Sequence, residues 1–347
     1  MKKYLYYLMP LSLLLILGSC FHPSEPYIPR PEPWLCSINA DGTGFRMIKK
    51  VDLSFGTTGF WDIYMTKDDR IIFYGEKLWI SETDTISPMS ITDNIYTLQQ
   101  QPARLSQSPD GSKLYFASRD KNIHELDLTT MLTRQLTSES VRTLRNPIVS
   151  DLGNYITYSS RGYGEPSKAT EYLYWMNLST GESSIVPTAD SLVVNVFYSE
   201  AQDFVYYERI GLHKSRLDGS DSSIVDNLAA NITPYPMYAF SNDMQYVVRL
   251  RQLQPPVIRV FNLQTNTAVE LPVIIGPQTY PLGALSRGTN DQFYVSPGNK
   301  LCVYHLDTGE DTVILQSTSD LSISRFINIA PTWDGSKVYF YADISIY

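Results

Sequence analysis

Four arginines recur at one point of a repeated sequence pattern and could together bind an anion. Arg119, Arg161, Arg209 and Arg251 each follow a short apolar run that contains tyrosine. Aligning the repeats places all four just after a predicted strand, and therefore on one face of the fold. Guanidinium groups bind carboxylates in a bidentate manner, so this arginine row predicts a site for an acidic sugar or a carboxylate-rich protein. The alternative is structural: each arginine ties its loop to the next repeat.

The loop that begins at Arg161 is longer than its counterparts and is a second candidate for binding. It reads Arg-Gly-Tyr-Gly-Glu-Pro-Ser-Lys over residues 161–168, with Tyr163 as its aromatic residue. Binding residues are often found on long loops of a rigid scaffold. Tyr163 is therefore the expected aromatic contact on the arginine side, and a solvated loop is the alternative.

Histidine and cysteine patterns do not predict catalysis. The four histidines are His22, His124, His213 and His305, and no pair has the spacing of a His-Glu-x-x-His motif. Cys-x-x-Cys and Gly-x-Ser-x-Gly patterns do not occur either. We therefore expect no metal, no cofactor and no enzyme activity, with the histidines in structural roles.

The amino terminus has the features of an export and lipidation signal. A Lys2-Lys3 pair precedes an apolar stretch over residues 4–17, too short for a comfortable membrane span. The stretch runs into Leu17-Gly18-Ser19-Cys20, which resembles the lipobox of bacterial lipoproteins. That resemblance implies a signal peptide over residues 1–19 and a mature chain anchored to the lipid bilayer through acyl chains on Cys20.

A proline-rich tether is predicted over residues 20–33, with prolines at 23, 26, 29, 31 and 33. Such a run stays extended at about 3.1 Å per residue, so it would hold the folded body some tens of ångströms from the bilayer. Phe21 does not resemble the aspartate of an inner-membrane retention signal. We therefore expect an outer-membrane lipoprotein that faces the periplasm or the cell surface.

The charge of the chain argues against nucleic acid as a partner. The sequence has 28 basic and 36 acidic residues, a net charge of −8. Loss of Lys2 and Lys3 with the signal peptide leaves 26 basic residues and a net charge of −10. Non-specific nucleic-acid binding needs a basic surface.

A strand–turn–strand unit recurs along the rest of the chain. Its clearest copy is Ser108-Pro109-Asp110-Gly111-Ser112-Lys113-Leu114-Tyr115-Phe116, and copies return about every 40–50 residues, the period expected of propeller blades. A second type of hairpin, with Asp-Gly or Thr-Gly turns, alternates with it. About seven of each type are present, the first type forming inner and the second type outer strands.

These repeats predict an all-β fold over residues 34–347: a single β-propeller of seven four-stranded blades. The chain begins with an outer hairpin (34–48) and ends with an inner one (326–342). We expect these two to pair and close the ring, which removes the exposed strand edges. A six-bladed ring is the alternative, because the units at 77–90 and 287–295 are poor copies.

The repeat resembles that of TolB-like propellers, relatives of WD repeats. The likeness rests on Ser-Pro-Asp-Gly-Ser-Lys-Leu-Tyr-Phe-Ala-Ser-Arg-Asp, a following Leu-Asp-Leu, and residues 35–44. It implies a propeller and says little about function, since such propellers serve as periplasmic scaffolds, gating domains of peptidases and occasionally lyases. No hydrolase domain is expected after residue 342, and no TolB-like amino-terminal domain before the first blade.

Five further residues are expected to serve the fold. Asp110, Asp243 and Asp334 lie in tight turns, where aspartate side chains bond nearby backbone groups. Cys36 and Cys302 occupy the same repeat position in neighbouring blades. A disulfide needs Cα atoms within about 7 Å, and equivalent positions in adjacent blades are usually farther apart. We expect two buried free thiols.

Two functions from different classes follow. The first is a lipid-anchored envelope protein that acts as a non-enzymatic scaffold for a protein or another anionic partner. The alternative is a binder or lyase of acidic glycans. Convergence of His124 or His213 with the arginine row on one face would favour the alternative.

Overall fold

The computed structural model describes fourteen stretches of the chain: residues 31–51, 62–74, 77–83, 86–92, 105–162, 171–187, 194–208, 211–226, 237–241, 243–251, 257–272, 282–285, 291–296 and 299–347. Every regular element in them is a β-strand. None of these stretches forms a helix with the length and apolar character needed to span a membrane. The predicted signal peptide, Cys20 and residues 21–30 of the tether lie outside the described residues.

The strands of the first half of the chain are β1 (Glu32–Asn39), β2 (Arg46–Lys50), β3 (Asp62–Met65), β4 (Arg70–Tyr74), β5 (Leu78–Glu82), β6 (Met89–Thr92), β7 (Ser106–Gln107), β8 (Lys113–Ala117), β9 (Ile123–Asp127), β10 (Thr133–Gln135), β11 (Arg142–Val149), β12 (Tyr155–Gly162), β13 (Glu171–Asn177) and β14 (Ser183–Ile185). Those of the second half are β15 (Val194–Ser199), β16 (Phe204–Glu208), β17 (Leu212–Ser215), β18 (Ser223–Asp226), β19 (Met237–Phe240), β20 (Tyr246–Arg251), β21 (Val257–Asn262), β22 (Thr267–Pro272), β23 (Leu282–Leu285), β24 (Gln292–Ser296), β25 (Lys300–His305), β26 (Asp311–Gln316), β27 (Leu321–Pro331) and β28 (Lys337–Ile346).

The strands form seven four-stranded antiparallel sheets, the blades of one β-propeller. Blades 1 to 6 each use four consecutive strands, from β3–β6 in blade 1 to β23–β26 in blade 6, and blade 7 has the order β2-β1-β28-β27. The prediction of seven four-stranded blades is confirmed. The six-bladed alternative is wrong, because the two poor copies of the repeat still form antiparallel strand pairs in blades 1 and 6.

Blade 7 closes the ring by pairing the two ends of the described chain. β1 pairs with β28 over eight residues, from Glu32 opposite Ile344 to Asn39 opposite Lys337. This confirms the predicted closure, in which the amino-terminal outer strands pair with the carboxy-terminal inner strands. β1 begins at Glu32, within the range that the sequence assigns to the tether.

The core lies between the blades. Seven clusters of buried apolar residues follow the ring. Each blade packs against two neighbours, so both faces of its second strand are buried. These strands therefore contain continuous apolar runs, such as Ile71-Ile72-Phe73 and Leu114-Tyr115-Phe116, all at most 2% exposed.

Cys36 in blade 7 and Cys302 in blade 6 are buried and free, which confirms the prediction of two free thiols. Burial raises the pKa of the Cys36 thiol to about 12 and that of Cys302 to about 11. Both therefore remain protonated, small apolar groups at neutral pH.

The turn aspartates act as predicted. Asp110 Oδ1 accepts hydrogen bonds from the Ser108 hydroxyl at 2.5 Å and the Ser112 amide at 3.0 Å. These bonds, first that of Ser108, lower the pKa of Asp110. Asp243 and Asp334 accept the equivalent bonds in blades 5 and 7. The three carboxylates hold tight turns between first and second strands.

Removing residues 31–51 should open the ring, because it strips β1 and β2 from the edge of β28. We expect this variant to self-associate and to lose cooperative thermal unfolding, measured by size-exclusion chromatography and circular dichroism. A circular permutant that carries residues 31–51 after Tyr347 keeps the same strand pairs, since Glu32 already lies opposite Ile344. This permutant should elute as the native chain does and unfold cooperatively. A deletion variant as stable as the intact ring would contradict this account.

Candidate functional site

One end of the propeller carries three residues of the predicted arginine row, and we name this end the arginine face. There the second strand of each blade ends and the third begins. Arg119 follows β8 in blade 2, Arg161 lies near the end of β12 in blade 3, and Arg251 is the last residue of β20 in blade 5. The backbone thus places these three at the same end of their blades. The side chains of Arg161 and Arg251, and the whole of Arg209 and Tyr163, lie outside the described residues.

Arg142, which the sequence alignment does not select, presents its guanidinium on the same face. It is the first residue of β11, the innermost strand of blade 3. Its Cζ lies 4.7 Å from the ring centre of Tyr172, and its Nη1 donates a 2.6 Å hydrogen bond to the Tyr174 hydroxyl. Contact with a tyrosine ring stabilises an exposed guanidinium by about 0.5–1 kcal/mol. The two tyrosines therefore hold this cation in one orientation.

Two polar side chains fix the backbone that leads to Arg142. The buried Asn122 accepts the Glu139 amide on its Oδ1 at 2.6 Å. Glu139 Oε1 in turn accepts the amides of the next three residues at 2.9–3.3 Å. These bonds, first that of the Val141 amide, lower the pKa of Glu139. The Glu139 carboxylate is therefore charged and engaged by its own backbone.

His124 and Asp120 form a polar pair beside Arg119. His124 Nε2 lies 2.8 Å from Asp120 Oδ2, and the imidazole stacks on Phe116 with ring centres 5.7 Å apart. Burial raises the pKa of Asp120, but the Asn122 amide and His124 outweigh it, so the pKa lies below its ordinary value. Asp120 is thus an ionised carboxylate that is shared between a backbone amide and an imidazole.

This arrangement can bind an anion. Arg119 is exposed and Arg142 is partly exposed. Among the described residues, no carboxylate forms an ion pair with Arg142 within 4.0 Å. The neighbouring carboxylates of Asp120 and Glu139 are occupied by amides and His124. Arg142 can therefore offer the N–H groups that Tyr174 does not engage to a carboxylate from outside.

The histidines of the described region do not meet. His124 lies in β9 of blade 2 and His213 in β17 of blade 4, where it stacks on Tyr207 with ring centres 5.5 Å apart. His305 ends β25 in blade 6, at the end of the propeller opposite the arginine face. His124 and His213 are each the second residue of the third strand of their blade, so both lie toward the arginine face, in blades 2 and 4.

A cavity of about 580 Å³ lies between blades 4 and 5, away from the arginine face. Its walls include the rings of Phe204, Tyr206 and Phe261, and the Lys214 ammonium 4.5 Å from the ring centre of Phe204. The sequence repeat did not reveal this cavity, because its walls come from strands of two different blades.

Comparison with known proteins defines the fold and not a family. No model of a protein family matches the chain, and no curated protein matches it. Among solved structures, an oligogalacturonate lyase from Vibrio parahaemolyticus is similar over 91% of this chain and 98% of its own, with a TM-score of 0.59 and 11% identity. An oligogalacturonate lyase in complex with manganese is similar over 82% of this chain and 89% of its own, with a TM-score of 0.58 and 12% identity.

TolB proteins are also among the similar structures. TolB from Acinetobacter baumannii has a TM-score of 0.48 and 13% identity, over 91% of this chain and 66% of its own. The chain is a seven-bladed β-propeller, the fold that its sequence repeat predicts. Identities this low show a shared fold alone.

Replacing Tyr174 by phenylalanine should lower the free energy of unfolding by about 1 kcal/mol, because Arg142 loses its hydrogen-bond acceptor. Tyr172→Phe is the matched control: it keeps the ring against the guanidinium and should have a smaller effect. Urea unfolding followed by fluorescence measures both. Equal losses in the two variants would mean that the hydrogen bond does not restrain Arg142.

Proposed function

We propose that this chain is a lipid-anchored protein of the bacterial cell envelope whose propeller binds a carboxylate-rich protein partner through the arginine face, without catalysing a reaction. The observation that carries the proposal is the guanidinium of Arg142, which Tyr172 and Tyr174 hold on the face where the backbone of Arg119, Arg161 and Arg251 lies. A preorganised cation loses little conformational freedom when it pairs with a carboxylate.

The overall charge supports an electrostatic role for this face. The chain is acidic, with a net charge of −8, so the cations of Arg119 and Arg142 at one end oppose the overall charge of the protein. Such local charge steers an oppositely charged partner and fixes its orientation.

Binding or cleavage of acidic glycans is a second candidate function. Two oligogalacturonate lyases are similar to this chain in fold, and the His124–Asp120 pair beside Arg119 places an imidazole next to an arginine. An arginine can neutralise a uronate carboxylate, and an imidazole can accept a proton. The two functions differ in what they predict: a lyase forms an unsaturated uronate product, and a scaffold does not.

Replacing Arg119, Arg161, Arg209 and Arg251 together by alanine should weaken partner binding at least tenfold, about 1.4 kcal/mol. Cross-linking of the native protein in membranes, followed by mass spectrometry, should identify a protein lost in this variant. Arg142→Ala should weaken binding of the same protein. A variant with Arg46, Lys67, Lys214 and Lys337 replaced by alanine loses the same charge away from the arginine face and should keep the partner.

The outcomes separate the candidates. A partner kept by the arginine variant would show that the row is structural. No protein partner, together with thermal stabilisation by oligogalacturonate or an ultraviolet-absorbing unsaturated product, would replace the scaffold by the glycan function.

Lipid attachment is tested separately. Cys20→Ser should abolish incorporation of labelled fatty acid and release the protein from the membrane fraction, because the acyl acceptor is lost. The chain has three cysteines, so the double variant Cys36→Ser and Cys302→Ser is the matched control and should still be labelled. Unchanged labelling of Cys20→Ser would exclude a lipoprotein anchored at this residue.

A further inference from the structure

The turn between third and fourth strands is built in the same way in several blades. Asp127 in blade 2, Asn177 in blade 3 and Asn262 in blade 5 end the third strand, and each accepts two backbone amides of the turn on its side-chain oxygen. Each also lies opposite the first residue of the second strand, as Asp127 lies opposite Lys113. The repeat therefore uses an Asp or Asn at this position to close the turn.

Blade 6 departs from this pattern. His305 takes the position, opposite Gln292, and two carboxylates flank it. Its Nδ1 lies 3.7 Å from Asp291 Oδ2. One ligand atom from each of Asp291, His305 and Asp307 can be chosen so that all three lie within 4.8 Å of one another. The Leu306 amide donates a 2.7 Å bond to the Asp291 carbonyl, which joins the two backbone segments.

Blade 4 shows what the same place looks like with a cation built in. In blade 4, Ser215 ends β17 and lies opposite Val205, so Arg216 is the next residue and takes the position of His305. Asp203 directly precedes β16, and Asp218 lies in the turn after β17. Arg216 pairs with Asp203 and, at 2.7 Å, with Asp221. The pKa of Asp218 is lowered mainly by hydrogen bonds from Ser220, and the charge of Arg216 adds a smaller contribution. A permanent guanidinium thus compensates the carboxylates of this blade.

Blade 6 has the corresponding carboxylates without the guanidinium. Asp291 and Asp307 occupy the places of Asp203 and Asp218, and His305 replaces Arg216. In the described part of the chain, neither Asp291 nor Asp307 forms an ion pair with a lysine or arginine. Two carboxylates and an imidazole therefore converge where the fourth blade holds a positive charge.

We propose that Asp291, His305 and Asp307 bind a divalent transition-metal ion, with Zn²⁺ as the reference ion. One imidazole nitrogen and two carboxylate oxygens are ligands that zinc takes at about 2.0–2.2 Å, which sets ligand atoms about 3.4 Å apart in a tetrahedral site. The observed separation of 3.7 Å between His305 and Asp291 is close to this value. The imidazole disfavours Ca²⁺ and Mg²⁺, which prefer oxygen ligands.

Bound metal would join the inner and outer hairpins of blade 6. Asp291 precedes the second strand, whereas His305 and Asp307 lie at the end of the third strand and in the turn after it. A ligand that binds the folded state alone raises its stability. A search for ligands close together in the sequence misses these three residues, because strand pairing brings Asp291 next to His305 and Asp307.

Isothermal titration of the untagged full-length chain with Zn²⁺ tests the proposal. We expect saturable binding of one ion and a rise in melting temperature. His305→Asn introduces the residue found in blades 3 and 5, and His305→Arg reproduces blade 4, so both variants should fold normally. Each should weaken Zn²⁺ binding at least tenfold and abolish the thermal shift. His213→Asn removes a histidine of blade 4 and should leave binding unchanged.

Two results would overturn the proposal: absence of saturable Zn²⁺ binding to the native chain, or Zn²⁺ affinity of both His305 variants equal to that of the native chain. Circular dichroism of each variant shows whether it has kept the strand content of the native protein. Asn154 precedes the second strand of blade 3 as Asp291 does in blade 6. Asp291→Asn therefore introduces a residue that the repeat already uses there, and this second variant should also weaken Zn²⁺ binding.

Discussion

The pairing of β1 with β28 is the constraint on which the rest of this propeller depends. Eight consecutive residue pairs join the two ends of the chain within one sheet. Each blade buries its faces against its two neighbours, so the ring has a continuous core only when the last blade meets the first. Without this pairing, β28 would present an open edge and the two blades beside the gap would each expose an apolar face.

Closure also determines where function can reside. Because the second strands are buried on both sides, their apolar runs serve packing, and polar side chains hold the turns and crossings at the two ends of the ring. At one end, carboxylates close the turns between first and second strands, as Asp110 does. At the other end, Asn122 and Glu139 accept backbone amides of the segment that connects blades 2 and 3. Arg142 follows this segment and is oriented by Tyr174.

The repeat provides an internal standard for recognising unusual positions. Where several blades share a residue type with a clear structural task, that task explains the residue. Where a blade differs, as blade 6 does at His305, the shared task no longer explains the residue, and the charges around it become informative. The comparison of blade 4 with blade 6 rests on strand register within one chain, which is more direct than likeness to proteins at 11–12% identity.

The sequence by itself determined the all-β class, the seven blades, the closure of the ring, the free thiols of Cys36 and Cys302, and the turn roles of Asp110, Asp243 and Asp334. These follow from alternation, turn residues and repeat spacing, which are short-range properties repeated many times along the chain. The tertiary structure alone decided that Arg142 lies against Tyr172 and Tyr174, and that Asp291 meets His305 and Asp307. Those contacts join residues of different strands, and their distances are set by sheet register and blade packing, which no local pattern records.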